Sequence, residues 1–549
     1  MAFEILTASS LEKVFSAEEP RQLQSGGSML LNETYHFQLC IRSEQMYNIC
    51  RVCIDGLPDC ATAQVRRVVE LPAHMPQKPL HARDDYLLKQ EAESVTLYPE
   101  LLQEIPPSGT IIRPNFWESF WITVKDFPAG TFELGLRVID GKDETLGACS
   151  YTLKAINARL PEQELKYTAW VHYDSIAEQH GCKPFGARFK RMTARYIEAA
   201  VSHGVNMLYT PLFTPPLDTA VGAERMTIQL VDVSMTENGY EFDFSKLKEF
   251  MVSVRQMGIR YFEMSHLATQ WGAKSCPKVV ASVDGKLKKI FGWHTSSQSI
   301  EYHKFLDVFL PSLDGFLKEN GFNEISYFHI SDEPNEEHLS GILPLRNLIK
   351  KHMPGARIME AISSYEIYRR GAVDIPVIAT SSASEFAKEG ALDWVYYCSG
   401  QSDKYLSNRF FNMPSQRNRV LGIQLYLSKA KGFLHWGFNF YRSYLSLEKI
   451  NPYLRTDAGG MFESGDSFVV YPDGERVLHS LRHEVFYDGL QDMRALHFLE
   501  SLIGRNAVEK LLKDEGVEGF TIYPHEENWL WAFRQKINDL IANNLSAAI

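Results

Sequence analysis

A chain of 549 residues with 45% hydrophobic and 12% aromatic side chains can bury a large core and is long enough for more than one domain. Its formal net charge of −11 comes without a run of lysine or arginine, which argues against nucleic-acid and anionic-membrane partners. No stretch of about 18 uncharged apolar residues occurs, so no membrane span is expected. The start of the chain carries Glu4, Glu12 and Lys13 and lacks a secretory pattern, which points to a cytoplasmic protein.

Residues 1–158 read as β-structure. Tyr35 to Ile41 alternates apolar and polar side chains, and Ser119 to Val124 and Thr131 to Val138 keep one apolar face. Short alternating strands separated by turn signals such as Phe127-Pro128-Ala129-Gly130 predict an N-terminal β-sandwich. The eight cysteines are scattered, which fits free thiols in such a chain. Cys50 and Cys53 have a zinc-like spacing, but residues three apart on a strand point to opposite faces, so no metal site is expected there.

After about residue 159 the pattern changes. Eight short apolar runs alternate with helical segments: Thr168 to Tyr173, Asn206 to Thr210, Tyr261 to Ser265, Ile325 to Ile330, Arg357 to Ala361, Pro376 to Thr380, Trp394 to Cys398 and Gly432 to Asn439. Amphipathic helices are expected from Ala187 to His203, Phe244 to Met257 and Tyr302 to Asn320. This repeat predicts a (β/α)₈ barrel over 159–445. The third loop is long, and Val283-Asp284-Gly285-Lys286 within it signals a hairpin. Residues 446–549 read as a mainly helical extension packed on the barrel, with a strand at Phe468 to Tyr471.

Barrel enzymes carry their chemistry at the C-terminal ends of the strands. The fourth strand runs into Asp332-Glu333-Pro334, two mutually repelling carboxylates followed by a residue that cannot pair in a ladder. A helix-capping role for that pair is the plain alternative. Other strand ends and loops offer His172, Asp218, Trp271, Trp293, Tyr396, Tyr397, Trp436 and Asn439 as candidate binding residues. Carboxylates ringed by aromatic and polar side chains suit sugar chemistry, where an acid must protonate the leaving glycosidic oxygen. Neither a phosphate-binding glycine loop, a Gly-x-Ser-x-Gly elbow nor a His-Glu-x-x-His pair is found, and no cofactor is expected. Glu263 and Glu360 lie inside strands and read more naturally as holders of histidine or arginine, and His329 as a satisfied interior histidine. An acid and a nucleophile normally come from different strands, so neighbouring Asp332 and Glu333 fit substrate assistance by a 2-acetamido group better. A conventional pair of Glu333 with Glu263 or Glu360, and a sugar-binding barrel without catalysis, are the alternatives.

In these motifs the chain resembles glycoside hydrolase family 123 and the associated DUF4091 group. The resemblance rests on Asn32 to Leu39, Thr210 to Thr219, Phe291-Gly292-Trp293, Ser331-Asp332-Glu333-Pro334, Gly432 to Asn439, Gly465-Asp466-Ser467-Phe468 and Ser480 to Glu484. It implies a β-sandwich followed by a barrel and an exo-acting, retaining β-N-acetylgalactosaminidase working through an oxazoline. Asp332 would then orient the acetamido group, and Glu333 would act as acid and then base. Tyr396 or Tyr397 would hold the acetamido carbonyl, and Trp436 would form an apolar wall. Val171-His172-Tyr173-Asp174-Ser175 departs from the family pattern, which leaves both C4 configurations of the sugar open.

Overall fold

The computed structural model describes residues 3–73, 86–87 and 95–547. Among these described residues the N-terminal part forms two five-stranded sheets. The first runs, edge to edge, Phe3–Ser9, Tyr35–Ser43, Trp117–Lys125, Thr62–Ala73, Thr96–Glu104. The second runs Gly26–Leu30, Thr145–Ile156, Gly130–Asp140, Tyr47–Asp55, Thr110–Ile112. Alternate residues Phe37, Leu39 and Ile41 of the first sheet share one apolar cluster with Leu134, Leu136, Val138 and Leu153 of the second. His36 and Gln38, on the opposite pleat, are buried as well. That second face lies against the C-terminal extension, where His36 Nδ1 meets Asp488 Oδ1 at 2.8 Å. All eight cysteines are unpaired, Cys50 and Cys53 on the strand Tyr47–Asp55.

Also among the described residues, eight parallel strands close a barrel: Lys166–Ala169, Met207–Thr210, Tyr261–Met264, Ser326–Phe328, Arg357–Ile362, Ile375–Ala379, Trp394–Tyr396 and Gly432–His435. Each overlaps one of the eight apolar runs. The first, fourth, seventh and eighth end two or more residues earlier than expected, because their last residues leave the ladder and become loop. Inward side chains, including Met207, Tyr209, Tyr327, Met359, Val377 and Trp394, fill the interior as a packed core. Asp284 and Gly285 form a two-residue turn at φ 52° and 73°, joining Val279–Val283 to Lys286–Phe291. These two strands combine with Asp232–Thr236 and Gly239–Asp243 into a four-stranded sheet that the sequence pattern did not show, because its first two strands are largely solvent-facing.

The extension is built on the helix Leu481–Ile503, capped by the Ser480 side chain accepting from His483 N. This helix is polar where it is most buried. Arg482 donates to both oxygens of Glu100, at 2.7 and 2.9 Å, and to the carbonyls of Arg409, Gly465 and Phe468. Glu484 meets Arg66 at 2.6 Å, and Asp492 meets Arg419 at 2.7 Å and Arg534 at 2.9 Å. One helix thereby joins the N-terminal sheets, the barrel and the last helix, Trp529–Ala547. No helix among the described residues is long and apolar enough to cross a membrane.

Removing one partner of such a pair leaves a charge buried alone, at a cost of roughly 3–5 kcal/mol. Arg482→Met is therefore expected to lower stability by that order in urea unfolding. Glu100→Gln combined with Arg482→Met is expected to recover part of the loss.

Candidate active site

The fourth strand ends at Phe328, and the next five residues are steered by hydrogen bonds rather than by a ladder. His329 lies between two fully buried carboxylates from the neighbouring strands. Its Nε2 is 2.6 Å from Glu263 Oε1 and its Nδ1 is 3.3 Å from Glu360 Oε2. Glu263 also accepts from Thr168 Oγ1 at 2.5 Å and Trp170 Nε1 at 2.8 Å. Glu360 also accepts the backbone N–H groups of Ile330 and Ser331. Burial alone would favour neutral His329, but hydrogen bonds to the two carboxylates overcome it and push the imidazole up to about 10. Glu360 is pushed upward by burial against the opposing effect of His329 and the two amides. Both glutamates are therefore holders of His329, with no exposed oxygen to offer a substrate.

The segment after the third strand runs beside this one. Ala268 N donates to Ile330 O at 2.8 Å, Ser331 Oγ to Thr269 O at 2.8 Å, and Trp271 N to Asp332 O at 3.1 Å. Asp332 emerges half-buried and Glu333 exposed. Glu333 has φ 41°, in the left-handed region, as do Asp218 at 45° and Trp271 at 54°. Left-handed backbone at such residues costs of order 1–3 kcal/mol each and is held only by surrounding structure. Three strained residues meeting at one barrel mouth mark it as a candidate site.

Tyr396 is an inward residue of the seventh strand, and its Oη donates to Glu333 Oε1 at 2.8 Å. Burial and the adjacent carboxylates hold its hydroxyl well above the ordinary phenol range. Asp332 is pushed well above the usual carboxylate range by burial and by the charges of Glu333, Asp218 and Glu360. Asp218 is pushed up to about 6 by burial, with Glu333 adding to the rise and Arg225 opposing it. Trp436 stands half-buried beside Phe440 and Phe462, its Nε1 donating to Asp466 Oδ2 at 3.0 Å. Burial pushes Asp466 up to about 7. Asp332, Glu333, Asp218, Tyr396, Trp271 and Trp436 thus form one constellation at the C-terminal mouth, with Trp271 41% exposed.

Four other candidate residues are placed differently. Tyr397 is on the opposite pleat from Tyr396 and packs outside the barrel on Phe433 and His435. Asn439 is fully buried and holds the backbone of His172, accepting from its N at 2.8 Å and donating to its O at 3.2 Å, which clasps the first strand to the eighth. Both ring nitrogens of His172 are engaged, Nε2 with Trp436 O at 2.9 Å and Nδ1 with Arg225 Nη2 at 3.2 Å. Burial and the Arg225 charge hold this ring neutral, at about 3. Trp293 lines a separate cavity of about 240 Å³ with Pro215, Thr219, Lys278 and His294.

Sequence reasoning missed Arg225. It grips Asp174 through Nε and Nη2, both at 2.7 Å, and donates to Leu217 O at 3.1 Å, so it anchors the turn that presents Asp218. Burial opposes the Asp174 charge, yet Arg225 and Arg442 hold its carboxyl at about 2. Arg225 sits in an aperiodic loop with no signal of its own. Asp466 was visible only inside the Gly465 to Phe468 motif.

The profile described as glycoside hydrolase 123, catalytic domain, matches residues 170–499, more than half of the chain. The chain belongs to glycoside hydrolase family 123. Its substrate is accordingly a carbohydrate, and the matched family 123 region runs past the eighth strand into the helix Leu481–Ile503. A family 123 glycoside hydrolase from Clostridium perfringens, described in terms of glycolipid glycan hydrolysis, has the same fold: TM-score 0.76 with 14% identity, over 100% of both chains. A Bacteroides uniformis β-glucuronidase 2 variant (TM-score 0.30, 10% identity, 91% of this chain and 50% of its own) is far more distant. So is a family 5 mannosidase from Rhizomucor miehei (TM-score 0.31, 12% identity, 67% and 97%). No curated protein sequence matches the chain.

The His329 charge carries a stability signature. A group raised from about 6.5 to about 10 contributes fully below pH 6.5 and loses that contribution as pH rises towards 10. The gap in unfolding midpoint between the native chain and His329→Gln is expected to be largest near pH 6 and to narrow by pH 10. A gap independent of pH would mean that the ring is neutral.

Proposed function

We propose that this family 123 chain removes a terminal β-linked N-acetylhexosamine, N-acetylgalactosamine in the first instance, with retention of configuration and through an oxazoline formed by the substrate. One observation carries the reading: Glu263 and Glu360, the carboxylates that could act as nucleophile from other strands, are both enclosed around His329. What reaches the mouth beside Glu333 is the adjacent Asp332. The acetamido carbonyl oxygen attacks the anomeric carbon while its bond to the leaving oxygen breaks, and Glu333 gives that oxygen a proton. Asp332 accepts from the acetamido N–H and offsets the positive charge of the oxazolinium. Water then adds at the anomeric carbon, giving its proton to Glu333 as the oxazoline C–O bond opens. Tyr396, rather than Tyr397, would hold the acetamido carbonyl, since its hydroxyl reaches Glu333, and Trp436 would supply an apolar face for the sugar. Trp271 and Asp218 would serve the remaining hydroxyls and the aglycone. The Clostridium perfringens relative suggests the glycan of a glycolipid as one substrate class.

Hydrolysis of the 4-nitrophenyl β-glycosides of GalNAc, GlcNAc, galactose and glucose tests this directly. Turnover is expected only for the two acetamido sugars. Glu333→Gln should lose at least about 100-fold on a natural glycoside and less on the activated one, since general acid catalysis is worth roughly 10²–10⁴. Turnover of plain galactose or glucose would overturn the substrate-assisted reading.

The pH profile gives a second check. Asp332 must be ionised to accept from the acetamido group, and its carboxyl is raised by burial and by three neighbouring charges. Activity should therefore fall on the acid side well above the value of a free aspartate, about 3.9. Asp218→Asn removes one of those charges, so the acid limb of kcat/KM should move to lower pH. An unmoved limb would remove Asp218 from the field of Asp332.

A further inference from the structure

Three imidazoles meet at the opposite end of the barrel from Asp332 and Glu333. His203 follows the helix Ala187–Val201, His479 ends the strand Arg476–His479, and His483 lies in the first turn of the helix Leu481–Ile503. One ring nitrogen from each lies within 4.8 Å of the other two. His479 Nδ1 and His483 Nδ1 are 3.0 Å apart. The His203 ring stacks on His483 at 4.0 Å and on His479 at 4.3 Å.

The hydrogen bonds around the cluster select which nitrogens are free. Ser202 Oγ donates to Ala199 O at 3.0 Å, and His203 Nδ1 lies 2.9 Å from that hydroxyl and 3.2 Å from the same carbonyl. Nδ1 of His203 is thus the protonated nitrogen, oriented by backbone and hydroxyl as ligating histidines usually are. Its Nε2 turns inward, 3.1 Å from Glu484 Oε2. The facing Nδ1 atoms of His479 and His483, 3.0 Å apart, leave room for only one proton between them. A polar cavity of about 210 Å³, with His203, His479 and Glu484 in its wall, connects the cluster to solvent.

We propose that His203, His479 and His483, with Glu484 as the charged neighbour, form a site for a divalent transition-metal ion of the zinc class. Zinc takes imidazole nitrogens at about 2.0–2.1 Å in a tetrahedron, which sets ligand separations near 3.3 Å. The 3.0 Å pair is close to that spacing, and the third nitrogen lies within 4.8 Å of both. Three imidazoles and one carboxylate are a donor set that zinc, cobalt or nickel accepts and that calcium or magnesium does not. The positive charges nearby are Arg66, His36, Lys125 and Arg409. Arg66 is matched by Glu484 Oε1 at 2.6 Å, and His36 is shared between Glu484 Oε2 at 3.2 Å and Asp488 at 2.8 Å. Lys125 faces the cavity. The site would join a barrel helix to the extension, with Glu484 reaching the N-terminal sheets, at the barrel face where residues serve stability rather than chemistry. Its role is that of a staple, not of a catalytic ion.

The test uses the full chain without a histidine tag, freed of metal with a chelator and titrated with Zn²⁺ alone. One equivalent should bind and raise the unfolding midpoint by roughly 2–4 °C at saturating metal, with turnover of the glycoside substrate unchanged. His479→Ala should abolish that equivalent, and Co²⁺ should give the intense visible bands of a tetrahedral site in the native chain only. Absence of stoichiometric binding, or an equivalent that survives in His479→Ala, would overturn the proposal. Should the variant not fold, the native chain still decides. Zn²⁺ should slow acylation of half-exposed His479 by diethylpyrocarbonate at least tenfold, and an unchanged rate would equally overturn it.

Discussion

The chemistry of the barrel mouth depends on a charged histidine held between two glutamates. Glu263 and Glu360 come from the third and fifth strands and His329 directly follows the fourth, which lies between them in the barrel. Ionisable groups out of water are expensive, and such an array is a weak source of net stability. What it provides is direction. Glu360 takes the amides of Ile330 and Ser331 just where the strand loses its ladder partners, so the two following carboxylates leave the barrel along a defined path. Glu263 extends the same lock to the first strand through Thr168 and Trp170.

Around that lock the mouth concentrates negative charge. Asp218, Asp332 and Asp466 all have carboxyls raised by burial, and Asp218 adds to the field felt by the other two. Arg225 limits the build-up from one side and Arg409 from the other. Raised carboxyls near neutrality are what proton-transfer chemistry needs. The strained backbone at Asp218, Trp271 and Glu333 belongs to the same arrangement, since each is tied to a neighbouring element: Asp218 N to Gln270, Trp271 N to Asp332 O, and the Glu333 carboxylate to Tyr396.

The barrel was legible in the sequence because parallel strands buried on both faces read as unbroken apolar runs. Asp332-Glu333-Pro334 stood out for the converse reason, as two charges closing such a run. The choice between Tyr396 and Tyr397 was not legible: strand alternation says that they face opposite ways, but which phase points inward is set by how eight strands stagger around the barrel. His172 and Asn439 mislead in another way. Residue type marks them as polar groups at strand ends, yet their hydrogen bonds go to each other, to Arg225 and to the backbone of Trp436. The sheet containing Asp232–Thr236 and Gly239–Asp243 left no apolar alternation to read, since both strands are mostly exposed.

The helix Leu481–Ile503 has a consequence for where the chain can be cut. Its acidic side chains match guanidinium groups that belong to other parts of the fold: Arg66 in the N-terminal sheets, Arg419 beside the barrel and Arg534 in the last helix. An excised segment ending at the eighth strand would keep Arg419 in its apolar surroundings and lose Asp488 and Asp492, the counter-ions that make its burial tolerable. The smallest piece of this enzyme with balanced internal charge therefore extends beyond the barrel in both directions along the chain.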